Sequence, residues 1–144
     1  MKTVHDLIKA KGHAVFFISP DVSIYTALTE MAEKNVGALV VMEEDRVAGI
    51  ISERDYARKV ILKGKSSRDT TVREIMTDRV FYVTPSRTME ECMALMIDKH
   101  VRHLPVMEED RLVGIISIGD VVKAVIEDKE MIIQELEDYI IGRR

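Results

Sequence analysis

Two short segments combine residue types that could bind a phosphorylated ligand. Gly49-Ile-Ile-Ser-Glu-Arg-Asp55 and Gly114-Ile-Ile-Ser-Ile-Gly-Asp120 share one pattern, in which Gly and two apolar residues precede a Ser and an Asp follows three positions later. A helix that begins at the Ser would present free backbone N–H groups, which favour a phosphate. The Ser hydroxyl can donate to the same anion, and the carboxylate can accept hydrogen bonds from a ribose diol.

The same residues also have an interpretation that needs no ligand. Ser52 and Ser117 can each cap a helix, with Asp55 and Asp120 as the third-position acid of a capping box. The two interpretations are compatible, because a helix N-terminus favours an anion from the chain or from a ligand. No nucleophile and base accompany either segment, so we expect a binding protein and not an enzyme.

Other residues whose side chains could bind a metal or act as a nucleophile predict no further site. His100 and His103 are three positions apart, but no Cys or acidic ligand accompanies them, so we expect no metal. Cys92 falls in an apolar helical pattern without a neighbouring base, which predicts a buried, inert thiol. The chain has neither Gly-x-Gly-x-x-Gly after a strand nor Gly-x-x-x-x-Gly-Lys-Ser/Thr, so neither a Rossmann fold nor a nucleotide triphosphatase is supported.

An internal repeat positions the two segments. Residues 16–61 align without a gap on residues 81–126, with 19 identities in 46 positions. A weaker echo precedes each copy, where Thr3-Val-His-Asp and Thr71-Val-Arg-Glu both read as capping boxes. The polar stretch 63–70 predicts a surface connection. We therefore predict two domains, residues 1–67 with an N-terminal lead-in and residues 68–144 with a C-terminal helix.

Each copy predicts the element order strand, helix, strand, strand, helix, a mixed α/β (α+β) fold. The first strand ends at a Ser-Pro or Thr-Pro, because proline cannot continue a ladder. An amphipathic helix follows, and the charged Glu-Glu-Asp-Arg connection then joins two strands into a hairpin. One such unit cannot cover both faces of its sheet, so the copies are expected to pack as a pseudo-two-fold pair. The predicted strands are 16–18, 38–42 and 47–52 in the first copy, and 81–83, 103–107 and 112–117 in the second.

Composition predicts a globular protein of a reducing compartment. Apolar residues make up 47% of the chain, and no apolar run approaches the roughly 20 residues of a membrane-spanning helix. The formal net charge of -4 disfavours nucleic acid as a partner. The N-terminus lacks the apolar core of a secretory signal, and a single Cys cannot form an internal disulfide, so we expect a cytoplasmic location.

These features together resemble the CBS (cystathionine-β-synthase) domain pair, or Bateman module. The resemblance rests on the tandem repeat, the Ser/Thr-Pro after each first strand, the run Val101-Arg-His-Leu-Pro-Val106 and the two Gly-x-x-Ser-x-x-Asp segments. It covers nearly the whole chain and is greatest to small stand-alone bacterial CBS pairs. It implies a regulatory module that binds AMP, ADP, ATP, an NAD-type dinucleotide or S-adenosylmethionine and signals to an unknown effector protein.

The resemblance also implies two ligand clefts, each built from both copies. In one, Ser117 would face phosphate, Asp120 the ribose hydroxyls and Ile115 the adenine, with Arg102 and His103 near phosphate and Ser19 supplied by the first copy. In the other, Ser52 would face phosphate, Asp55 the ribose hydroxyls and Ile50 the adenine, with Thr84 supplied by the second copy. The first copy has Gly37 and Ala38 in the places of Arg102 and His103. It has Arg54, a cation, where the second copy has Gly119. We therefore expect both clefts to bind ligand, but with unequal affinity.

The C-terminal segment leaves two interpretations open. The segment 128–141 is richly charged, but one face of its predicted helix carries Ile126, Ile133, Leu136 and Ile140. This face either docks on its own domain or forms a homodimer contact. The alternative function is a ligand-independent interaction scaffold. In that case the Ser and Asp residues only cap helices, and the function of the chain is association through its dimer surface.

Overall fold

Helices and strands alternate along the chain in the computed structural model, which describes residues 2–12 and 15–141. The predicted mixed fold is confirmed. The elements in chain order are α1 (Val4–Lys11), β1 (Phe17–Ile18), α2 (Ile24–Lys34), β2 (Ala38–Glu43), β3 (Arg46–Ser52), α3 (Glu53–Lys59), a 3-10 helix (Ile61–Lys63), α4 (Val72–Ile75), α5 (Met89–Lys99), β4 (His103–Glu108), β5 (Arg111–Ser117) and α6 (Ile118–Ile140).

The described residues form two compact units. The first-copy unit contains residues 15–81, and the second-copy unit contains residues 82–141 together with residues 2–12. These units are bounded differently from the predicted domains 1–67 and 68–144, which follow the repeat. The difference lies in the lead-in helices, because α1 packs in the second-copy unit and α4 packs in the first-copy unit.

The lead-in helices are held by backbone hydrogen bonds and by burial. Val4 N donates to Arg87 O at 2.8 Å, and Val4 is fully buried. In the first-copy unit, Val72 N donates to Val22 O at 2.9 Å, and Val72 is likewise buried. The predicted capping boxes at Thr3 and Thr71 are confirmed by the hydrogen bonds of their N–H groups to Asp6 and Glu74.

A three-stranded sheet organises the first-copy unit. Strand β2 is central, parallel to β1 and antiparallel to β3, with Ala38 opposite Ser52. Residues 38–41 are all buried, as expected of a central strand with both neighbours present. The core that packs against this sheet consists of Ile18, Ile24, Ala27, Met31, Leu39, Val41, Ile51, Val60, Val72 and Ile75.

The second-copy unit repeats the hairpin but not the first strand. Strands β4 and β5 pair antiparallel, with His103 opposite Ser117. The predicted strand at 81–83 is wrong, because only Val83 bridges to Val106. Its N–H donates to Pro105 O at 3.0 Å, but Pro105 has no N–H to continue the ladder one residue earlier.

Both hairpins turn through residues with positive φ. Glu44 and Asp45 have φ of 51° and 61°, and Glu109 and Asp110 have φ of 50° and 63°. Two consecutive residues in this region match the type I′ turn that suits the twist of a hairpin. The predicted Glu-Glu-Asp-Arg connection is therefore confirmed, although neither central residue is the Asn or Gly that this turn favours.

Helix α6 runs without a break from the Ser117 cap to Ile140. Its first turns are packed, with Val121 and Ala124 buried. Beyond them a stripe of apolar side chains stays exposed, and this α6 stripe comprises Ile126, Ile132, Ile133, Leu136, Tyr139 and Ile140. The predicted helical face is confirmed, and the homodimer contact stays a prediction.

Candidate functional site

The two Ser-x-x-Asp segments form strand-to-helix corners of the same construction. Ser52 is the N-cap of α3: its Oγ accepts from Asp55 N at 3.2 Å, and its own N–H donates to Asp55 Oδ2 at 3.0 Å. Ser117 caps α6 with corresponding distances of 3.2 and 2.9 Å to Asp120. The predicted capping boxes are confirmed, and each corner holds a carboxylate beside the start of a helix.

A glycine lets each lead-in segment approach its corner. In the first-copy unit, a Cβ at Gly49 would lie 2.7 Å from Thr77 O. In the second-copy unit, a Cβ at Gly114 would lie 2.4 Å from Cδ1 of Ile8. Both distances are far below van der Waals contact, so the Gly of the shared pattern has a packing role that the sequence interpretation did not assign.

Each corner carboxylate pairs with a lysine, and the two lysines come from different elements. Asp55 Oδ1 lies 3.1 Å from Nζ of Lys59, four residues later on the same helix. Asp120 Oδ2 lies 2.7 Å from Nζ of Lys11, at the end of α1. Sequence reasoning missed both. The i,i+4 spacing could have revealed Lys59, but no local signal links residues 11 and 120.

The Asp120 carboxylate is stabilised as an anion. Burial alone would raise its pKa, but the hydrogen bond from Lys11 and that from the Ser117 N–H outweigh this effect, and the pKa lies below its ordinary value. The group is therefore a hydrogen-bond acceptor at neutral pH, which is the state that a ribose diol requires.

The remaining predicted residues of the second copy surround its corner. His103 faces Ser117 across the hairpin, and Ile118 N donates to Arg102 O at 2.8 Å. The structure thus brings Arg102 and His103 next to the start of α6. Ile115 is half-buried in β5, and its carbonyl accepts from Lys11 Nζ at 3.1 Å.

The first-copy corner has the same backbone hydrogen bonds, with smaller side chains at two positions. Glu53 N donates to Gly37 O at 3.1 Å, and Ala38 faces Ser52, as Arg102 and His103 do in the other copy. This confirms that Gly37 and Ala38 stand in their places. Arg54 is exposed on the first turn of α3. Ile50 is half-buried and exchanges two 2.9 Å backbone hydrogen bonds with Thr77.

Ser19 and Thr84 lie after β1 and after the Val83 bridge, respectively. Both are exposed: Ser19 Oγ accepts from Asp21 N at 3.3 Å, and Thr84 Oγ1 lies 3.2 Å from Ser86 Oγ. Each belongs to a different unit from the corner that it was predicted to serve. Their contribution to the opposite clefts stays a prediction.

Two other residues singled out from the sequence have structural positions. His100 ends α5 in the left-handed conformation, with φ of 55°. Cys92 is fully buried, and burial raises the pKa of its thiol to about 11. Within residues 2–12 and 15–141, no group of three or more His, Cys, Asp or Glu side chains is arranged to hold a metal ion. None of the helices in those residues is long and apolar enough to span a membrane.

Comparison with known proteins agrees with this construction. The CBS domain model matches residues 4–62 and again residues 72–127. A mitochondrial CBS domain-containing protein of Arabidopsis thaliana, CBSX3, is 41% identical, over 97% of this chain and 72% of its own length. A solved protein with CBS domains from Burkholderia ambifaria is 49% identical with a TM-score of 0.85, covering 88% of this chain and 96% of that one.

The chain therefore belongs to the CBS domain family and is a tandem CBS pair. Such pairs are generally regulatory ligand-binding modules. A more distant pair, 22% identical with a TM-score of 0.77, covers 89% of this chain and 98% of its own and shares the fold. That protein was solved in complex with 5′-methylthioadenosine and S-adenosyl-L-methionine.

Proposed function

We propose that this chain is a regulatory module that binds an adenine nucleotide, AMP, ADP, ATP or an NAD-type dinucleotide, and signals to a partner protein. The observation that carries the proposal is the duplicated corner, in which an N-capping Ser and an Asp side chain stand together at a helix start in both copies. A phosphate is favoured at such a helix start, and a ribose diol can donate to the carboxylate.

The two corners differ in a way that predicts unequal affinities. Arg102 and His103 flank the second-copy corner, whereas Gly37 and Ala38 occupy the same places in the first. A cation beside a phosphate strengthens binding through charge-assisted hydrogen bonds. Arg54 supplies a cation to the first corner by another route. The adenosyl ligands of the distant CBS pair make S-adenosylmethionine a further candidate ligand.

Signalling would follow from a shift between conformations. A ligand that contacts both copies changes their arrangement only through its different affinity for the two states. The reader of that change is an effector protein, and the α6 stripe supports a homodimer as the functional unit. We assign no catalysis, nucleic acid, membrane or metal to this module and place it in the cytoplasm, where the lone Cys92 stays reduced.

Isothermal titration with AMP, ATP, NAD and S-adenosylmethionine tests the proposal. We expect saturable binding that is lost at one corner in Asp120→Ala and at the other in Asp55→Ala. The matched control is Glu91→Ala, because Glu91 closes the same kind of capping box with Thr88 at α5 without belonging to either corner. Each variant should lose about 1 kcal/mol of folding stability from its cap, but only the Asp variants should lose ligand.

A ligand-independent interaction scaffold is the second candidate, and the exposed α6 stripe is what favours it. In that case the Ser and Asp residues only cap helices. Folded, ligand-free protein that gives no saturable heat with any of the four ligands would reject nucleotide binding and support the scaffold.

A further inference from the structure

Lys11 joins helix α1 to the second-copy corner. Its Nζ lies 2.7 Å from Asp120 Oδ2 and 3.1 Å from Ile115 O. These are the two residues predicted to contact the ribose and the adenine of a ligand. The lysine therefore binds the same carboxylate that the ribose of a bound nucleoside would use.

The first-copy corner is built differently. Its lysine, Lys59, lies on the same helix as Asp55 and donates to Ile75 O of α4 at 3.1 Å. In the repeat, Lys59 aligns with Ala124, which is buried. The second copy thus lacks the helix lysine, and the cation on its carboxylate comes from a separate element, 109 residues away in sequence.

The Lys11 contact is well placed to be displaced. The side chains of Lys11 and Asp120 are 40% and 26% exposed, so the pair is open to solvent on one side. Ion pairs with this degree of exposure contribute little to stability because water and salt screen them. A ribose diol that donates to the same carboxylate can therefore compete with the ammonium group.

Displacement would act on one end of α1 only. The helix is held as far as Ile8 by the buried side chains of Val4 and Ile8, and the hydrogen bond of Met89 N to Lys2 O at 3.0 Å holds the segment before it. Residues 9–12 are exposed. The last turn closes with Gly12 N donating to Ile8 O at 2.8 Å, and Lys11 provides its side-chain link to the corner.

We propose that Lys11 is a latch residue: its ammonium competes with the ligand ribose for Asp120, so that a nucleoside at the second-copy corner releases the C-terminal turn of α1. This inference rests on the proposed nucleotide-binding function. It distinguishes the second corner from the first, because Lys59 lies on the same helix as Asp55, the carboxylate with which it pairs. By linkage, the latch weakens the ligand by the same factor by which the ligand weakens the latch.

The test uses Lys11→Met with adenosine as the ligand, because an uncharged nucleoside removes any attraction between lysine and phosphate. The chain with Lys11 and the Lys11→Met variant are both studied in the Asp55→Ala background, so that the remaining heat of adenosine binding reports on the Asp120 corner. Lys9→Met is the matched control, since Lys9 is an exposed lysine of the same helix. We expect Lys11→Met to bind adenosine roughly two- to fivefold more tightly than the background, the range set by a half-exposed ion pair, and Lys9→Met to be unchanged.

Amide hydrogen exchange of residues 10–12 gives a second readout. Adenosine should accelerate exchange there in the background protein, whereas Lys11→Met should exchange fast already and show no further change. Equal or weaker adenosine binding in Lys11→Met, or an unchanged exchange rate, would overturn the latch while leaving nucleotide binding intact. Absence of adenosine and nucleotide binding in the unaltered chain would instead reject the proposed function, and the latch with it.

Discussion

Helix α1 lies directly on Gly114, where an added Cβ would come within 2.4 Å of Cδ1 of Ile8. Gly114→Ala should therefore destabilise the second-copy unit by about 1–3 kcal/mol, the usual cost of overpacking a filled core. Urea denaturation followed by circular dichroism measures this change in the free energy of unfolding.

The atom responsible can be tested by its removal. Ile8→Val deletes Cδ1, so Ile8→Val combined with Gly114→Ala should be more stable than the sum of the single changes predicts. Gly49→Ala is the contrasting case, because its new methyl group would meet the backbone oxygen of Thr77, which no side-chain trimming can move. Additive effects of the Ile8 and Gly114 changes would contradict this account of the packing.

The hairpin turns should be open to stabilisation. Glu44 and Asp45 both adopt positive φ, a region that costs residues with a side chain about 1–2 kcal/mol and costs Gly nothing. Replacing the pair by Asn and Gly should raise the free energy of unfolding by about 1 kcal/mol. Thermal and urea denaturation would measure this increase in the free energy of unfolding.

Glu44→Gln is the control for this prediction, because it removes the charge and keeps the side chain that disfavours the turn. It should leave stability unchanged within a few tenths of a kcal/mol. A gain from Glu44→Gln equal to that from Asn-Gly would show that charge repulsion, and not backbone conformation, limits the turn.

Local patterns predicted the hairpins and the corners well. The repeated Glu-Glu-Asp-Arg connection and the alternation around it determine the pairing of β2 with β3 and of β4 with β5. Ser52 and Ser117 cap helices through atoms three residues away, so the signal lies entirely within a short stretch of sequence. Such features need no knowledge of the tertiary structure.

Features that depend on distant residues could not be predicted. Strand 81–83 fails because Pro105, in another strand, lacks an N–H. The spacing of Met89, Met93, Met96 and Ile97 predicts one apolar helix face, yet Ile97 is 64% exposed, since helical spacing alone does not say where the packed face ends. The exchange of lead-in helices and the contact of Lys11 with Asp120 depend on packing between segments far apart in sequence.

The Asp120 carboxylate should contribute to stability in a pH-dependent way. Its pKa is below its ordinary value in the folded chain, so the folded state binds this proton less readily than the unfolded state does. The stabilisation is therefore present above the unfolded pKa, near pH 4, and is lost as the pH falls through the folded pKa. In urea denaturation, the stability difference between the natural chain and Asp120→Asn should shrink between about pH 5 and pH 3.

Glu90→Gln is the control for the acid range, since Glu90 is an exposed acid of α5 outside the corners. The difference in the free energy of unfolding between Glu90→Gln and the natural chain should vary less with pH than the corresponding difference for Asp120→Asn. A stability difference for Asp120→Asn that stays constant from pH 7 to pH 3 would contradict the stabilised anion at this corner.

The α6 stripe should mediate self-association of the chain. Ile133, Leu136 and Ile140 are 55%, 57% and 78% exposed and recur at spacings of three and four residues, as in a helix that packs against another helix. Burying a side chain such as Leu against a partner contributes about 1.5–3 kcal/mol. Leu136→Glu should therefore weaken the homodimer by roughly ten- to hundredfold in dissociation constant, measured by sedimentation equilibrium.

Gln134→Glu is the matched control, because it adds the same charge to α6 outside the stripe. It should leave the dissociation constant unchanged within about twofold, since an exposed charge contributes little. A Leu136→Glu protein that associates like the natural chain would exclude the stripe as the homodimer contact. Equal weakening by both variants would instead show that the net negative charge of α6, and not burial of its apolar face, controls association.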